Sequence, residues 1–258
     1  MQNPYVQALE FLVDAGVTVA LMDEPNNRFE PIAPIFPQEN HHSTPPLKQP
    51  NKNVTDGLKA HADIVTEAKK IASACNDLEA LKTAIQNFNG IILKKTAYQI
   101  VFADGMATAD VMVIGETPNT QDDRNGVPFT DSDGQLLDKI FACIDRNRKD
   151  NLYLTNVLNW RPPGNRSATA EELEITAPFI KRHIDLVKPK IIVCLGGIPA
   201  QILLGSKESI SRLRGKFYDY GETKLIATYH PSSLLKTPLQ KKKVWDDMLM
   251  LQGYLDEI

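Results

Sequence analysis

The amino-acid sequence predicts an α/β protein whose parallel sheet is covered by helices on both faces. Short segments of strand length are apolar at nearly every position, which is typical of parallel strands buried on both faces. They alternate with longer segments in which apolar residues recur at helical spacing, as in strand–helix–strand units. The predicted strands are residues 98–102, 111–114, 152–155, 191–195 and 225–228.

Helices are predicted before, between and after these strands. Residues 56–74 and 77–88 precede the sheet, and the second of them opens on Asn76 and Asp77, residue types that favour the start of a helix. The remaining predicted helices are residues 135–144, 170–187, 199–204 and 241–255.

Composition fits a soluble globular protein of the cytoplasm. Of the 258 residues, 42% are hydrophobic and 24% are charged. No apolar run could span a bilayer, and residues 1–20 lack the basic start of a signal peptide, so we expect no membrane association. The three scattered cysteines, Cys75, Cys143 and Cys194, fit a reducing compartment and give no disulfide framework.

The charge is unevenly distributed along the chain. Residues 1–60 hold four basic and seven acidic residues, which accounts for the net charge of −3. The remaining 25 basic and 25 acidic residues balance. Bulk charge therefore does not indicate a nucleic-acid-binding protein, and any such contact must come from local clusters.

Three regions are predicted along the chain. Residues 1–20 contain a short helix, and residues 21–55 form a disordered linker, because seven prolines between Pro25 and Pro50 block helix and sheet alike. Residues 56–258 form the main domain. The adjacent His41 and His42 lie in the linker without another ligand nearby, so we predict no metal site there.

Polar side chains follow three of the predicted strands at their carboxyl ends. Glu116 follows residues 111–114 and a glycine, Asn156 follows residues 152–155, and His230 comes shortly after residues 225–228. Ligands of open α/β sheets bind at this edge. Taken alone, each residue has a structural explanation: a solvated acid, a loop-bonding amide, a packed imidazole. Together they predict an active site.

Aromatic and basic residues lie on loops near the same edge. Phe129 ends the stiff segment Gly126-Val127-Pro128-Phe129, where its ring could fill the core or form a stacking surface for a flat ligand. The turn from Arg161 to Arg166 presents two guanidinium groups, which suit phosphates, although arginines are also common on surface loops.

Several of these segments, taken in order, resemble the uracil-DNA glycosylase superfamily, and they are most like the bacterial family 4 type. The resemblance covers roughly residues 97–255 and implies a three-layer α/β/α sandwich around a four-stranded parallel sheet. The matching motifs are Gly115-Glu116-Thr117-Pro118, Gly126-Val127-Pro128-Phe129, Thr155-Asn156-Val157, Arg161-Pro162-Pro163-Gly164-Asn165-Arg166 and His230-Pro231-Ser232.

The resemblance implies a monofunctional glycosylase that flips uracil out of single- or double-stranded DNA and initiates base-excision repair. Glu116 would position the attacking water, and His230 would stabilise the uracil anion. Phe129 would stack on the base, Asn156 would read its polar edge, and Thr117 would lie in the pocket. We expect a monomer. The implied DNA-binding residues, with a leucine wedge in the base stack, are Arg161, Asn165, Arg166, Ser232, Ser233, Leu234, Leu235 and Lys236.

The sequence departs from the family 4 pattern at the iron–sulfur cluster. Members typically bind this cofactor through four cysteines, two of which would be expected where this chain has Trp160 and Thr176. Around residues 90–92, where an earlier ligand would fall, the sequence is apolar. Three scattered cysteines cannot supply four thiolates. We therefore predict no cluster, no other cofactor and no metal.

The catalytic loops also depart from the family. Asn119 replaces a usual glycine, and as an asparagine it would tolerate a left-handed backbone. Asp131 and Asp133 add negative charge beside a DNA-facing loop and are expected to weaken phosphate binding. Two alternatives therefore stay open: a catalytically degenerate DNA-binding member, and a glycosylase for another deaminated base, such as hypoxanthine or xanthine.

Overall fold

The structure, a computed structural model, describes residues 52–257, with side chains from His61 onwards. The predicted helix within residues 1–20 and most of the predicted linker lie outside the described residues. A single mixed sheet forms the centre of the described part, in the order β1-β3-β2-β4-β6-β5. Its strands are β1 (Ala103–Gly105), β2 (Val111–Gly115), β3 (Leu152–Asn156), β4 (Ile191–Leu195), β5 (Phe217–Tyr220) and β6 (Thr223–Thr228).

The four central strands, β3, β2, β4 and β6, are parallel, as predicted. The sheet has six strands rather than four, because β1 and β5 add antiparallel edges to β3 and β6. The predicted strand at residues 98–102 is wrong, since the first strand begins only at Ala103. In that segment the amides of Tyr98 and Gln99 donate to the Asp123 carboxylate and that of Val101 to the Asn159 carbonyl, so no ladder forms.

The predicted helices are present, and residues 170–187 match residue for residue. Three short helices, Thr120–Asn125, Ile210–Leu213 and Pro231–Lys236, were not predicted, because elements of four to six residues leave little periodicity to detect. The helices are α1 (Lys52–Ala74), α2 (Leu78–Asn87), α3 (Thr120–Asn125), α4 (Ser132–Ala142), α5 (Ala170–Val187), α6 (Gly197–Leu204), α7 (Ile210–Leu213), α8 (Pro231–Lys236) and α9 (Lys241–Asp256).

Helices cover both faces of the sheet, which confirms the three-layer α/β/α sandwich. Along β2, Val111 and Val113 pack into the cluster formed with α4 and α9, whereas Met112 and Ile114 pack into the cluster formed with α5 and α6. All four side chains are fully buried. Consecutive strand residues point to opposite faces, so a strand buried on both faces must be apolar throughout.

The parallel register brings the predicted site residues to one edge. Gly115, the last residue of β2, lies opposite Asn156, the last residue of β3. On the other side of β2, strand β4 pairs with β6, which ends two residues before His230. The carboxyl ends of these strands therefore surround one position on the sheet. None of the helices in residues 52–257 is long and apolar enough to cross a membrane.

Candidate active site

A cavity of about 500 Å³ opens at the carboxyl edge of the parallel strands. Nine of the predicted site residues line it, which brings the two predicted catalytic residues, the aromatic ring and several DNA-binding candidates together. These nine residues are Glu116, Thr117, Phe129, Asn165, Arg166, His230, Ser232, Leu235 and Lys236.

Asn156 lies opposite Gly115 in the sheet and does not line the cavity, and its side-chain amide is buried without a hydrogen-bond partner in the described part of the chain. The residue is 2% exposed, and neither Oδ1 nor Nδ2 is bonded within the described part of the chain. A Cβ atom added to Gly115 would lie 2.3 Å from Oδ1 and 2.7 Å from Cζ of Phe129. The amide and the ring are therefore separated only by the space that a glycine leaves. Leaving a buried amide unpaired costs about 1–3 kcal/mol, which a ligand with matching groups would recover.

Phe129 belongs both to the core and to the cavity. Its side chain packs in the cluster beneath α4 and also lines the cavity, so it does fill the core, and its use as a stacking surface stays a prediction. The ring centroid lies 6.0 Å from that of His230. Its backbone is left-handed, with φ of 56°, which is uncommon for a bulky residue and marks a local constraint.

Glu116 directly follows β2, and one oxygen of its carboxylate is held by a hydrogen bond. Oε1 accepts a hydrogen bond from the backbone N–H of Ala168 at 3.1 Å. Its second carboxylate oxygen, Oε2, has no hydrogen-bond partner among residues 61–257. The carboxylate is thus oriented by the loop before α5, and Glu116 lines the cavity.

His230 is the N-cap residue of α8, and this position fixes its ring. Nδ1 accepts from the backbone N–H of Ser232 at 3.2 Å and lies 2.8 Å from the Ser232 Oγ. Burial lowers the pKa of His230 to about 4, and the charge of Asp131 opposes this only partly. The ring is therefore neutral near pH 7 and, with Nδ1 accepting, carries its proton on Nε2. It can donate one hydrogen bond without carrying a charge.

The segment that was predicted to be a DNA-contacting loop, residues 232–236, is helical and lies in α8. Leu234 is fully buried in the core, whereas Leu235 is 48% exposed and lines the cavity. The prediction that Leu234 contacts DNA is therefore wrong, because neighbours on a helix point about 100° apart and only one of the two can face outward. Ser233 donates its hydroxyl to the His230 carbonyl at 2.8 Å.

The basic turn before α5 divides into two parts. The guanidinium of Arg161 forms an ion pair with the buried Asp123 (Nε–Oδ2 3.2 Å) and donates to Thr120, so it ties the turn to α3 and does not line the cavity. Asn165 and Arg166 do line it. Arg166 is also bonded by both terminal nitrogens to Glu172, and this bond lowers the pKa of the Glu172 carboxyl. Contact of all three residues with DNA stays a prediction.

The unusual residues of the catalytic loops have local structural roles. Asn119 has an extended backbone (φ −96°), so its tolerance of a left-handed conformation is not needed at this position; its side chain caps α3 in a capping box with Asp122. Asp131 caps α4 by accepting from the amides of Asp133 and Gly134. Burial, followed by the charges of Asp131 and Asp122, raises the pKa of Asp133. Both Asp131 and Asp133 line the cavity, so their expected effect on phosphate binding stays a prediction.

The residues present do not fit a four-cysteine iron–sulfur cluster. Trp160 and Thr176 are 3% and 1% exposed, and Trp160 packs in an apolar cluster between α1, α2 and α5. Thr176 donates its hydroxyl to the carbonyl of Glu172. Among the described residues no group of three or more His, Cys, Asp and Glu could hold a metal. Buried packing therefore occupies the two positions where the resemblance would place cysteines.

Sequence reasoning missed two residues that hold the Phe129 loop. Asp122 is 3% exposed and accepts from the amide and the hydroxyl of Thr130 at 2.7 and 2.8 Å. Arg148 donates to the carbonyls of Pro128 and Phe129. Both residues lie in polar segments that are typical of solvated turns, and no local pattern indicates contacts made 8 or about 20 residues away.

Comparison with known proteins agrees with this geometry. A family model described as the uracil DNA glycosylase superfamily matches residues 102–249, more than half of the chain. The Type-4 uracil-DNA glycosylase of Archaeoglobus fulgidus is 36% identical over 163 residues, which cover 60% of this chain and 81% of that protein. The Type-4 uracil-DNA glycosylase of Pyrobaculum aerophilum is 32% identical over 185 residues, which cover 69% of this chain and 94% of that protein. A Type-5 uracil-DNA glycosylase of Pyrobaculum aerophilum is 27% identical over 147 residues, covering 50% of this chain and 64% of that protein. The chain therefore belongs to the uracil-DNA glycosylase superfamily.

Proposed function

We propose that the protein is a monofunctional uracil-DNA glycosylase, which flips uracil out of DNA, hydrolyses its N-glycosidic bond and thereby initiates base-excision repair. One observation supports this most: the buried, unpaired amide of Asn156 beside the ring of Phe129. Uracil presents a carbonyl acceptor next to an N–H donor. An asparagine amide offers the complementary acceptor and donor, and the ring offers a stacking surface for the same flat base.

The other cavity residues supply what bond cleavage needs. When the bond between C1′ of the sugar and N1 of uracil breaks, its electron pair leaves with the base. The neutral His230 can donate Nε2–H to the developing uracil anion, which stabilises it without first requiring protonation of the ring. The charge on the leaving base is larger in the transition state than in the bound substrate, so this hydrogen bond is stronger there and accelerates the step.

The carboxylate of Glu116 serves the sugar side of the same bond. The carboxylate accepts a hydrogen bond from the Ala168 amide, which holds it in place. It stabilises the positive charge that develops at C1′ and orients a water molecule for attack on that carbon. Oxygen of the water forms the new bond to C1′, and the proton released ends on the uracil anion. The products are free uracil and an abasic sugar that carries a hydroxyl on C1′.

Residues at the cavity rim are placed to contact the DNA strand from which the base is extruded. Extruding a base from a duplex costs a few kcal/mol, and least when the base is mismatched or single-stranded. The exposed Leu235 can fill the gap in the stack, while Lys236 and Arg166 can face phosphates. Uracil-containing DNA, single- or double-stranded, is accordingly the proposed substrate.

The test uses labelled oligonucleotides that contain U opposite G, U opposite A, single-stranded U or hypoxanthine, followed by alkaline cleavage of abasic sites. We expect the wild type to release uracil, His230→Ala to abolish most of the release, and His61→Ala to leave it unchanged. His61 is the matched control because it bonds to Glu174 on the far helices and does not line the cavity. Tight binding without release would refute catalysis. Release of hypoxanthine but not of uracil would assign a different base.

We also propose that the protein works as a cytoplasmic monomer without an iron–sulfur cluster. The buried Trp160 and Thr176 support the last point. Iron analysis and visible absorbance of protein purified without oxygen would overturn it by detecting stoichiometric iron. Sedimentation of the purified chain tests the monomeric state, and fractionation of cells tests the location.

A further inference from the structure

The left-handed backbone of Phe129 needs a cause in the folded protein. The residue has φ of 56°, a conformation that costs an L-residue free energy and persists only where the surroundings impose it. The direction of the ring depends on this conformation. Whatever fixes the backbone therefore also fixes the stacking surface before a base arrives.

The guanidinium of Arg148 holds the carbonyls of the two peptide groups on either side of the Phe129 Cα. Nη1 donates to the Pro128 carbonyl at 2.9 Å, and Nη2 donates to the Phe129 carbonyl at 2.7 Å. A guanidinium presents its donors in a rigid plane, so two such bonds set both the distance and the direction of the peptide groups. Its side chain is 18% exposed, so water competes little for these donors.

Two carboxylates from different elements fix the guanidinium in turn. Asp104 in β1 pairs with Nη1 at 3.0 Å, and Asp138 in α4 pairs with Nε at 2.7 Å. Arg148 itself lies in the turn before β3. The guanidinium therefore connects the edge strand β1, the helix α4 and the Phe129 loop.

The other side of Phe129 is held as well. Asp122 accepts from the Thr130 amide at 2.7 Å, immediately after Phe129. The start of α4 also packs closely here, since a Cβ atom on Gly134 would lie 1.8 Å from the Phe129 carbonyl oxygen. With Arg148 on two carbonyls and Asp122 on the following amide, the backbone has little freedom to relax.

We propose that Arg148 is the positioning residue of Phe129, holding its strained backbone so that the ring is in place to stack on the base. This inference rests on the proposed function. Arg148 does not line the cavity and acts only through Phe129. Lysine at this position would keep the charge, but one ammonium group cannot reproduce the planar fork that reaches two carbonyls and two carboxylates.

The first experiment measures inhibition by free uracil in Arg148→Lys, Phe129→Leu and the double variant. Because stacking of a base on an aromatic ring contributes about 1–3 kcal/mol, we expect each single variant to weaken inhibition about tenfold. The double variant should lose no more than Phe129→Leu. Equal inhibition in Arg148→Lys and wild type, or a further tenfold loss in the double variant, would overturn the proposal.

Arg182→Lys is the matched control. Arg182 also donates two hydrogen bonds to a backbone carbonyl, that of Cys75 at 2.9 and 2.7 Å, but it lies in α5 and does not line the cavity. Both lysine variants are expected to lower the unfolding temperature, whereas only Arg148→Lys should weaken inhibition by uracil. Equal weakening in the two variants would reduce Arg148 to a general stabilising role and refute the inference.

A second readout needs no uracil release. In protein labelled with fluorophenylalanine, the ¹⁹F signal of Phe129 is the one that Phe129→Leu removes. We expect the chemical shift of this signal to change in Arg148→Lys and to be unchanged in Arg182→Lys. An unchanged chemical shift in Arg148→Lys would overturn the proposal. If the wild type released no uracil, the proposed function would fail while this spectrum still decided whether Arg148 positions Phe129.

Discussion

Gly115→Ala is the substitution that addresses the proposed base pocket most directly. The added methyl group would lie 2.3 Å from the Asn156 Oδ1 and 2.7 Å from the Phe129 Cζ. Both distances are shorter than van der Waals contact. The backbone cannot retreat, because Gly115 ends the central strand β2 and its carbonyl accepts from the Val157 amide. The amide and the ring must therefore move instead.

The magnitude follows from what is displaced. A bidentate pair of hydrogen bonds that reads a base edge is worth about 1–3 kcal/mol, and stacking on an aromatic ring contributes about 1–3 kcal/mol. Losing both would remove about 2–6 kcal/mol of transition-state stabilisation, which corresponds to a decrease in kcat/KM of roughly 30-fold to 10⁴-fold. Overpacking should also lower the free energy of unfolding by about 1–3 kcal/mol.

The assay is kcat/KM for a uracil-containing oligonucleotide, measured beside urea unfolding of the same preparations. Gly253→Ala is the matched control, because a Cβ atom there meets nothing within 4 Å and the residue lies in α9. We expect that control to keep wild-type activity. A folded Gly115→Ala with kcat/KM within about threefold of wild type, a difference of under 1 kcal/mol, would refute the proposal that the Asn156 amide and the Phe129 ring both contact the base.

Three further predictions follow from burial and charge. Leu235→Ala should reduce uracil release from duplex DNA and change the free energy of unfolding by less than about 0.5 kcal/mol, whereas Leu234→Ala, in the core, should cost about 2–5 kcal/mol. Burial lowers the pKa of His183 to about 3, whereas in the unfolded chain it is about 6.5. Between these two pH values His183 is protonated in the unfolded chain but not in the folded protein, so the free energy of unfolding decreases as the pH falls. The His183 contribution to the free energy of unfolding should thus fall by about 2 kcal/mol between pH 7 and pH 5, and in urea unfolding the decrease over this range should be smaller by about that amount in His183→Gln than in the wild type. Asp133→Asn removes a negative charge from the cavity and should tighten DNA binding at low salt, with the gain shrinking as salt is added.

Each of these predictions has a contrary result. Equal duplex activity in Leu235→Ala and wild type would exclude a wedge at that position. An unchanged pH slope in His183→Gln would mean that other groups cause the acid destabilisation, among them His230, whose pKa is also lowered. DNA affinity that is the same in Asp133→Asn at every salt concentration would show that this carboxylate does not face the phosphates.

Much of the sheet could be predicted because its signals are local. The central strands are apolar at nearly every position, and the helix of residues 170–187 has strong periodicity and a capping box at Thr169 and Glu172. Strand ends then placed Glu116, Asn156 and His230 at one edge. The edge strands β1 and β5 were missed because they are short and only partly buried.

Side-chain direction within the site could not be predicted in the same way. A single turn of helix in α8 turns Leu234 inward and Leu235 outward. Arg161 forms an ion pair with Asp123, 38 residues earlier in the chain, where sequence reasoning predicted a phosphate contact. Asn119 serves as a helix cap in extended conformation, since α3 was itself not foreseen.

The sequence by itself determined the layered α/β architecture, the family and the residue types that reach the carboxyl edge, because periodicity and ordered motifs are properties of the chain. Only the tertiary structure decided that the Asn156 amide is unpaired beside Phe129 and that Arg148 holds the Phe129 backbone. It also decided that Nδ1 of His230 accepts a hydrogen bond from the first turn of α8. These features depend on distances between residues that are far apart in sequence and meet only when the parallel strands align. Hydrogen bonding and burial at that edge, rather than residue identity, determine what each side chain can do.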